Sequence, residues 1–473
     1  MLAAKASGEE LVEAGRVGTA SVILRNNTGR FNRYQNLGDP LANYISDEVG
    51  PYEKGVRLYQ GFTIQVDDQP VESYVRIFTG VIFNWIEDSY NKQITFELRD
   101  QGSKYLQHKI SSILYMDERP DEWITRIAGW AGIPSGDLIL DPGIFRIPWL
   151  WLDDESAVAE IWDTARADGG MAFFDQLGKL RFENALHYVA TEHLTPVWDF
   201  TESEYQALAP QNSPDDLVTK IVVEWSGRLR STVQTLYSLD VEKVINPGQT
   251  ITWEARFQNP AYWILSPVNI VVPTFDPEKP IYINDYVASS IGGFDMTTAL
   301  TIILTPSKKF AQRCEVSVTN TNPSFISYLI YFQIRGEPLF GGPTEQVTVD
   351  VVNPPVDDTR LRSVRGNVYL QSSLQGEGLA HRLAQANRRI RSKYLLNGVF
   401  GIPQLELMDR VMIRNPISSL PLEGLVLQIA WRFSASEGFS QDVTVQDAMD
   451  LYDQDDYFII GETALGAHGR CWY

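Results

Sequence analysis

Five histidines, at positions 108, 187, 193, 381 and 468, are the first groups to test for chemistry in this chain of 473 residues. No two of them stand four apart, the spacing that sets two imidazoles on one helix face for a metal, so metal-dependent hydrolysis is not expected. Cys314 and Cys471 are the only cysteines and lie far apart, which offers neither a disulfide framework nor a cluster of thiolates. The chain has no GxSxG elbow, no Walker loop and no strand-borne GxGxxG, so acyl transfer and nucleotide chemistry lack local support. Asp153, Asp154 and Glu155 could be imagined as the carboxylate pair of a glycosidase. Adjacent acids ahead of a helical stripe serve capping and the helix dipole better. The run Asp450, Asp453, Asp455 and Asp456 lacks the glycine and distal glutamate of a calcium loop and reads as a solvated turn. No catalytic residue, metal or cofactor is expected, and the chain does not read as an enzyme.

The elements that would position any site are mostly strands. Length suggests about three domains at roughly 150 residues each, and 44% hydrophobic residues give each a core. Acids outnumber bases 60 to 40, a net charge of −20 that opposes general adhesion to nucleic acid or anionic lipid. No stretch reaches the ~20 apolar residues of a membrane span, and the first residues lack the apolar region of a signal peptide, so the cytoplasm is the expected starting place. Val17 to Leu24 reads as a strand, and Val56 and Leu58 as a short second one. The clearest hairpin follows. Val75, Ile77, Val81, Phe83 and Trp85 would share one strand face, and after Ser89-Tyr90-Asn91 a second strand alternates Ile94, Phe96 and Leu98 with Thr95, Glu97 and Arg99. Gly80 would mark a bend or bulge.

Between about 115 and 200 the pattern becomes mixed. Pro120-Asp121-Glu122 opens a helix that Gly132 closes, and a second helix starting near Asp153–Ser156 places Val158, Ile161, Trp162 and Ala165 on one stripe before Gly169-Gly170. Met171–Asp175 and Lys179–Glu183 form a hairpin around Gln176-Leu177-Gly178. From about 215 to 350 the runs Ile221–Trp225, Thr250–Phe257, Thr298–Leu304, Cys314–Val318 and Tyr328–Arg335 suggest a sandwich. Its Pro-rich borders suggest an insertion that can be removed without unfolding the rest. After Pro354-Pro355 a long helix is expected over Gly378–Asn397, with Leu379, Leu383, Ala386 and Ile390 inward. Arg382, Arg388, Arg389 and Arg391 would lie outward, facing solvent or another subunit rather than DNA.

The last strands resemble the first. Gly80-Val-Ile-Phe-Asn-Trp-Ile, a turn and Ile94–Asp100 are matched by Gly424-Leu-Val-Leu-Gln-Ile-Ala-Trp, a turn and Val443–Asp447. A short strand leads into each hairpin, Gly55-Val-Arg-Leu-Tyr in one and Asp409-Arg-Val-Met-Ile in the other. Any two antiparallel hairpins alternate in this way, so pattern alone leaves duplication and coincidence both open.

A series of segments then carries a resemblance. Ala20–Phe31, Phe78-Thr-Gly80, Ile147–Ser156 and Gly169–Phe182 stand in the order found in the baseplate hub or tail-tip hub proteins of long-tailed bacteriophages. Val316–Asn320 with Tyr328–Pro338 looks like the β insertion some of them carry, and Leu465–Tyr473 like their closing segment. The resemblance implies a mainly β fold with α+β parts: two tail-tube-like β-barrel modules, about 1–112 and 354–473, flanking a small α+β domain, 113–205, and a β-sandwich insertion, 206–353. It implies a homotrimer whose six modules meet a hexameric tail tube or distal tail protein ring. Other tail-tip or fibre proteins would be neighbours, and the genome would pass through without specific binding. Such a protein sits at the virion tail tip after assembly in the host cytoplasm. The chain departs from longer relatives in that little precedes the first strand and nothing large follows Tyr473, so the resemblance leaves open whether it carries the fibre platform or lysin of some hubs.

If three chains surround such a channel, a basic lumen would hold the DNA it should release. The acids expected to line it are Glu87, Asp88, Glu97 and Asp100 in the first module and Asp442 and Asp447 in the second, with Arg99 paired locally. The competing reading is a carbohydrate-binding adhesin or glycosidase of the tail, resting on aromatic residues, with Trp253 and Trp263 as the glycan contacts.

Overall fold

A strand of period two must turn one row of side chains in and the other out. A computed structural model of the chain describes residues 2–5, 18–28, 31, 54–66, 69–190, 193–211, 217–272, 281–351, 359–387, 392–414, 421–434, 438–448, 457–458 and 470–471. It is mainly β with few helices. Five strands form the first module: β1 (Leu2–Lys5), β2 (Thr19–Arg25), β3 (Gly55–Val66), β4 (Gln69–Asp88) and β5 (Gln93–Asp100). Along β5, Ile94, Phe96 and Leu98 are buried while Thr95, Glu97 and Arg99 are half-exposed, as the alternation requires. β5 lies between β2 and β4, and β4 folds back on β3, giving the antiparallel order β2-β5-β4-β3.

The middle unit carries α1 (Pro120–Ala131), α2 (Ala157–Asp168) and the hairpin β6 (Met171–Phe174) with β7 (Leu180–Glu183). Proline opens α1, the Glu122 carboxylate accepts the Arg119 amide at 2.8 Å, and Gly132 closes the helix at φ 81°. Gly169 closes α2 at φ 75°. The acids Asp153, Asp154 and Glu155 do not cap α2. They form a short bulged strand against Lys109–Ser111, and the helix starts only after Ser156, whose hydroxyl donates to the Leu106 carbonyl. A strand pairing has taken the residues that local capping chemistry pointed to.

β8 (Ala207–Gln211) leads to two long antiparallel strands, β9 (Lys220–Arg230) and β13 (Ser327–Asp350), matched from Lys220 opposite Asp350 to Arg230 opposite Leu339. Between them lie β10 (Thr250–Arg256), β11 (Leu300–Lys309) and β12 (Arg313–Asn320). β10, β12 and β11 form a three-stranded sheet facing the first part of β13, and Ala255, Cys314, Val316, Val318, Leu329, Phe332 and Ile334 fill the space between. That is the expected sandwich. The near ends of β9 and β13 belong elsewhere: Ile221, Val223 and Val351 share the core of the middle unit with Trp123, Ile127, Ile161 and Leu379.

α3 (Ser373–Ala386) opens with Ser372 and Gln375 in a capping box and ends at Asn387. The helix expected over Gly378–Asn397 is therefore shifted. It starts earlier, and the residues from Lys393 form β14 (Lys393–Phe400), held between β8 and a later strand. Pairing on both sides overrides the helical pattern there. Arg382 does not point away: its guanidinium lies 5.0 Å from the Phe145 ring centroid and donates to the Asp168 carbonyl at 3.1 Å. Ile390, Arg388, Arg389 and Arg391 lie outside the described residues.

The second module consists of β14, β15 (Arg410–Ile413), β16 (Leu422–Ser434) and β17 (Gly438–Asp447), in the antiparallel order β14-β17-β16-β15. This repeats β2-β5-β4-β3 in register as well as in order. Gly80 stands opposite Asp100 and Val56, and Gly424 opposite Asp447 and Val411. The Asp100 amide donates to Gly18 at 2.8 Å and the Asp447 amide to Ser392 at 2.9 Å, each just ahead of its module's outer strand. Three residues beyond each glycine the ladder takes in one extra residue, Phe83 in β4 and Leu427 in β16. The hairpin similarity in the sequence is matched by a recurrence of strand order and register. Gly80 itself is not the bulge. A Cβ there would sit 2.0 Å from the Arg99 carbonyl oxygen, and one at Gly424 would sit 2.6 Å from that of the equivalent Gln446.

β1 pairs with both β2 and β16 and joins the two modules in one eleven-stranded sheet. Nothing in the sequence pattern pointed to that strand.

Two predictions follow from this architecture. Gly80→Ala and Gly424→Ala should each lower stability by about 2 kcal/mol or more in denaturant melts, because a backbone carbonyl cannot step aside. Gly55→Ala, with nothing within 4 Å of its added Cβ, should stay within about 0.5 kcal/mol. Equal effects at all three sites would overturn the close-approach account. Second, replacing 231–338 by an Asn-Gly turn between the paired residues Arg230 and Leu339 should leave a soluble, cooperatively melting protein. Removing 215–350 should instead give insoluble chain, since Ile221 and Val223 leave the middle core. Loss of folding in the shorter deletion would show that the sandwich is part of the framework.

Candidate functional site

The six acids expected on one channel face are divided between two faces of the sheet. Asp100 and Asp447, opposite Gly80 and Gly424, project to the side of Ile94 and Leu98 in one module and of Val443 and Val445 in the other. Glu87, opposite Ile94, projects to that side at its exposed end. Asp88 and Glu97 lie on the opposite side, as does Asp442, which stands opposite Ala430. The period of two separates residues that sequence proximity groups together.

Their surroundings differ as well. Asp100 is buried and accepts the amides of Gly18 and of Gly102, the latter at 2.8 Å, while burial pushes its carboxyl up to about 7. Its carboxylate is taken up by these two backbone bonds. Asp88 accepts the Asn91 backbone and side-chain amides at 2.9 and 2.6 Å, which hold its carboxyl below the ordinary range. Glu97 accepts Asn84 at 3.1 Å, and Asp442 pairs with Arg432 and accepts the Gly398 amide at 3.1 Å. Arg25 and Arg99 share the face of Glu97, and Arg432 that of Asp442, so this face mixes both signs. Arg99 finds its local partner in the Phe83 ring, 3.3 Å from the centroid.

That mixed face is covered in one module and bare in the other. In the second, Leu425 and Leu427 are buried with Tyr188, Met408 and Ala448. Arg410 pins this cover: it donates to the Tyr188 and His193 carbonyls at 2.6 and 3.0 Å and pairs with Glu423. In the first module Phe83, the counterpart of Leu427, is 47% exposed against 5%. Ile86 and Ile23 are exposed too, and they flank Thr95 in one row across three strands. This row is the candidate assembly face. It was not singled out from the sequence, because its residues come from three strands and its exposure depends on what the rest of the chain fails to cover.

Titratable groups in the middle unit are tied up internally. Asp141 accepts His187 Nδ1 at 2.7 Å, and His187 stacks on His193 at 3.8 Å. Burial pulls the His187 imidazole down, but its bond to Asp141 and the nearby Glu183 leave it raised. Burial pushes Glu183 up to about 7, and its carboxylate accepts the Tyr188 hydroxyl at 3.2 Å. Glu160 is also pushed up to about 7 by burial, facing the Tyr369 hydroxyl, to which Trp123 Nε1 donates at 3.4 Å. A cleft between β4, the β6–β7 hairpin and Leu405–Leu407 is a joint. Thr79 donates to the Gln176 carbonyl at 2.8 Å, and Arg181 bridges Asp175 and Glu406 at 3.2 and 2.7 Å.

Among the described residues no group of histidines, cysteines and acids is arranged for a metal, and no helix is long and apolar enough to cross a membrane. Asp450, Asp453, Asp455 and Asp456 lie outside the described residues. Trp253 and Trp263 do not form one stacking surface. Trp253 turns its edge to Phe332 at 5.4 Å beside the sandwich core, whereas Trp263 stands exposed on the opposing sheet.

No family model and no curated protein matches the sequence. Several solved structures are similar at low scores. A tail protein from Neisseria meningitidis MC58 is 8% identical with a TM-score of 0.42, over 84% of this chain and 89% of that one. The 43 kDa tail protein of prophage MuSo2 from Shewanella oneidensis is 10% identical with a TM-score of 0.42, over 94% and 91%. The prophage tail protein gp18 from Listeria monocytogenes EGD-e is 7% identical with a TM-score of 0.33, over 85% and 89%. At these scores the likenesses carry no weight for function.

The buried carboxyls give a pH prediction. Glu160, raised to about 7 when folded against an ordinary 4.5, holds its proton more tightly in the folded chain. Its contribution to stability is full below pH ~4.5 and is lost as pH rises through ~7. Glu160→Gln keeps an acceptor for Tyr369 and has no charge to bury. The fall in melting temperature between pH ~5.5 and ~8 should therefore be smaller in the variant, and parallel profiles would sink this account.

Proposed function

We propose that this chain is a structural subunit of a phage tail end, a non-enzymatic hub in which three copies present six like modules to a six-fold tube. The observation that carries this reading is the duplication, in which strand order, register, bulge and close-approach glycine recur at both ends of the chain. A protein that repeats one strand topology twice suits a partner whose rotational symmetry is twice its own. The ordered series of segments recognised in the sequence points to the same class.

Two further features favour assembly. Among the described residues β3 is the last strand of its sheet, and a twelve-residue edge is an aggregation hazard unless a partner covers it. The bare row of Ile23 and Ile86 with Phe83 adds apolar surface where the duplicate module is already covered. In this reading the tail tube or a distal tail protein ring meets the modules, and DNA passes through without specific binding. Trp253 and Trp263 lie on opposing sheets and give the adhesin reading no shared stacking surface.

Native mass spectrometry and negative-stain electron microscopy of the full chain test the proposal, with a three-fold ring expected. Ile86→Asp should weaken that ring at least tenfold, about 1.4 kcal/mol, without altering the monomer melt. A stable monomer, or a ring of another symmetry, would refute the hub.

A further inference from the structure

The structure assigns a second surface, independent of the ring: the far end of the β-sandwich is a lipid-contact tip that inserts apolar loop residues into an uncharged bilayer surface. β13 runs from the middle core to this end, where its first residue, Ser327, pairs with Ile245. Three loops meet there. Asn320, fully buried, donates to the Ile245 and Phe325 carbonyls at 3.0 and 2.9 Å and accepts the Gly248 amide at 3.0 Å. Ser289, paired with Tyr328, brings in the loop 290–294. The side chains that project are Ile291, 90% exposed, Phe294, 74%, and Phe325, 59%.

Charge is nearly absent from this end. Across 246–249, 289–297 and 319–327 Asp295 is the one charged residue, in a chain that is 21% charged overall. No lysine or arginine offers itself to anionic headgroups, so electrostatic attraction is not the driving force and a zwitterionic surface fits best.

The loop backbone also suits a low dielectric. Unpaired amides make entry into lipid costly, and here many are bonded within the tip. Ser290 donates to Phe294 at 2.8 Å, Gly293 to Ser290 at 2.9 Å, and Thr321 to Ala299 at 2.8 Å. The amides of Ser324 and Phe325 both donate to the Asn322 side chain at 2.9 Å. The projecting residues are isoleucine and phenylalanine, which partition into hydrocarbon.

Flotation of the full chain with phosphatidylcholine vesicles tests the assignment. The protein should float with the vesicles equally at ~0.05 and ~0.5 M salt, and exchange of the 288–296 amides should slow on binding. Ile291→Ser combined with Phe294→Ser should lower partition about a hundredfold with an unchanged melt. Leu229→Ser and Phe433→Ser, at exposed apolar sites elsewhere, should leave it unchanged. The assignment is overturned if the wild type stays with the soluble fraction, if floating requires anionic lipid and fails at high salt, or if the tip variant floats as well as the wild type.

Discussion

Two strands in each module approach so closely that only a glycine can stand between them, and much of the module follows from that approach. At Gly80 and Gly424 the neighbouring strand's carbonyl occupies the space of a Cβ. Three residues later one extra residue enters the ladder, and the alternation of β4 and β16 changes side. A bulge of this kind bends a strand and increases its twist. It also decides which residues face out. Trp85, which simple alternation places with Val81 on the Arg99 side, stands opposite Phe96 on the core side, and Phe83 is left as the exposed platform on which Arg99 rests. The same device in two segments that share few identical residues gives two modules of one topology.

The modules are held in place by joints that depend on a buried and a half-buried cation. Arg410 ties the segment holding Tyr188 and His193 to β15 and β16, and Arg181 ties the β6–β7 hairpin to Glu406. Such pairs add little net stability over apolar packing, but breaking one leaves a buried charge unpaired at a cost of roughly 3–5 kcal/mol. Their role is to fix orientation. The apolar stabilisation lies in separate cores, one for each module, one for the sandwich and the largest for the middle unit.

The division of those cores decides which surfaces stay open. Faces turned toward the middle unit are used up, as Leu425 and Leu427 are. The surfaces left over are a row on the first module and the loops at the end of the sandwich, far from each other along the chain. An assembly role and a lipid-contact role can then coexist without competing for residues.

Local sequence determined the elements whose signals are local. The alternation of Ile94, Phe96 and Leu98, the proline and glycine that bound α1, the hairpin around Gln176-Leu177-Gly178 and the runs of the sandwich are all where composition and period place them. The likeness of the two terminal hairpins was visible too, though pattern alone could not separate it from coincidence. Tertiary structure decided whatever required two distant segments to meet. Lys393–Phe400 became a strand because β8 and β17 pair with it on both sides, and Asp153–Ser156 left its capping role for a strand partner at Lys109–Ser111. The six acids looked like one charged face in the sequence, yet parity and one bulge put them on opposite sides, and burial turned Asp100 into an anchor. A sequence window carries its own period and turn residues, whereas pairing, register and cover are set by partners that can lie hundreds of residues away.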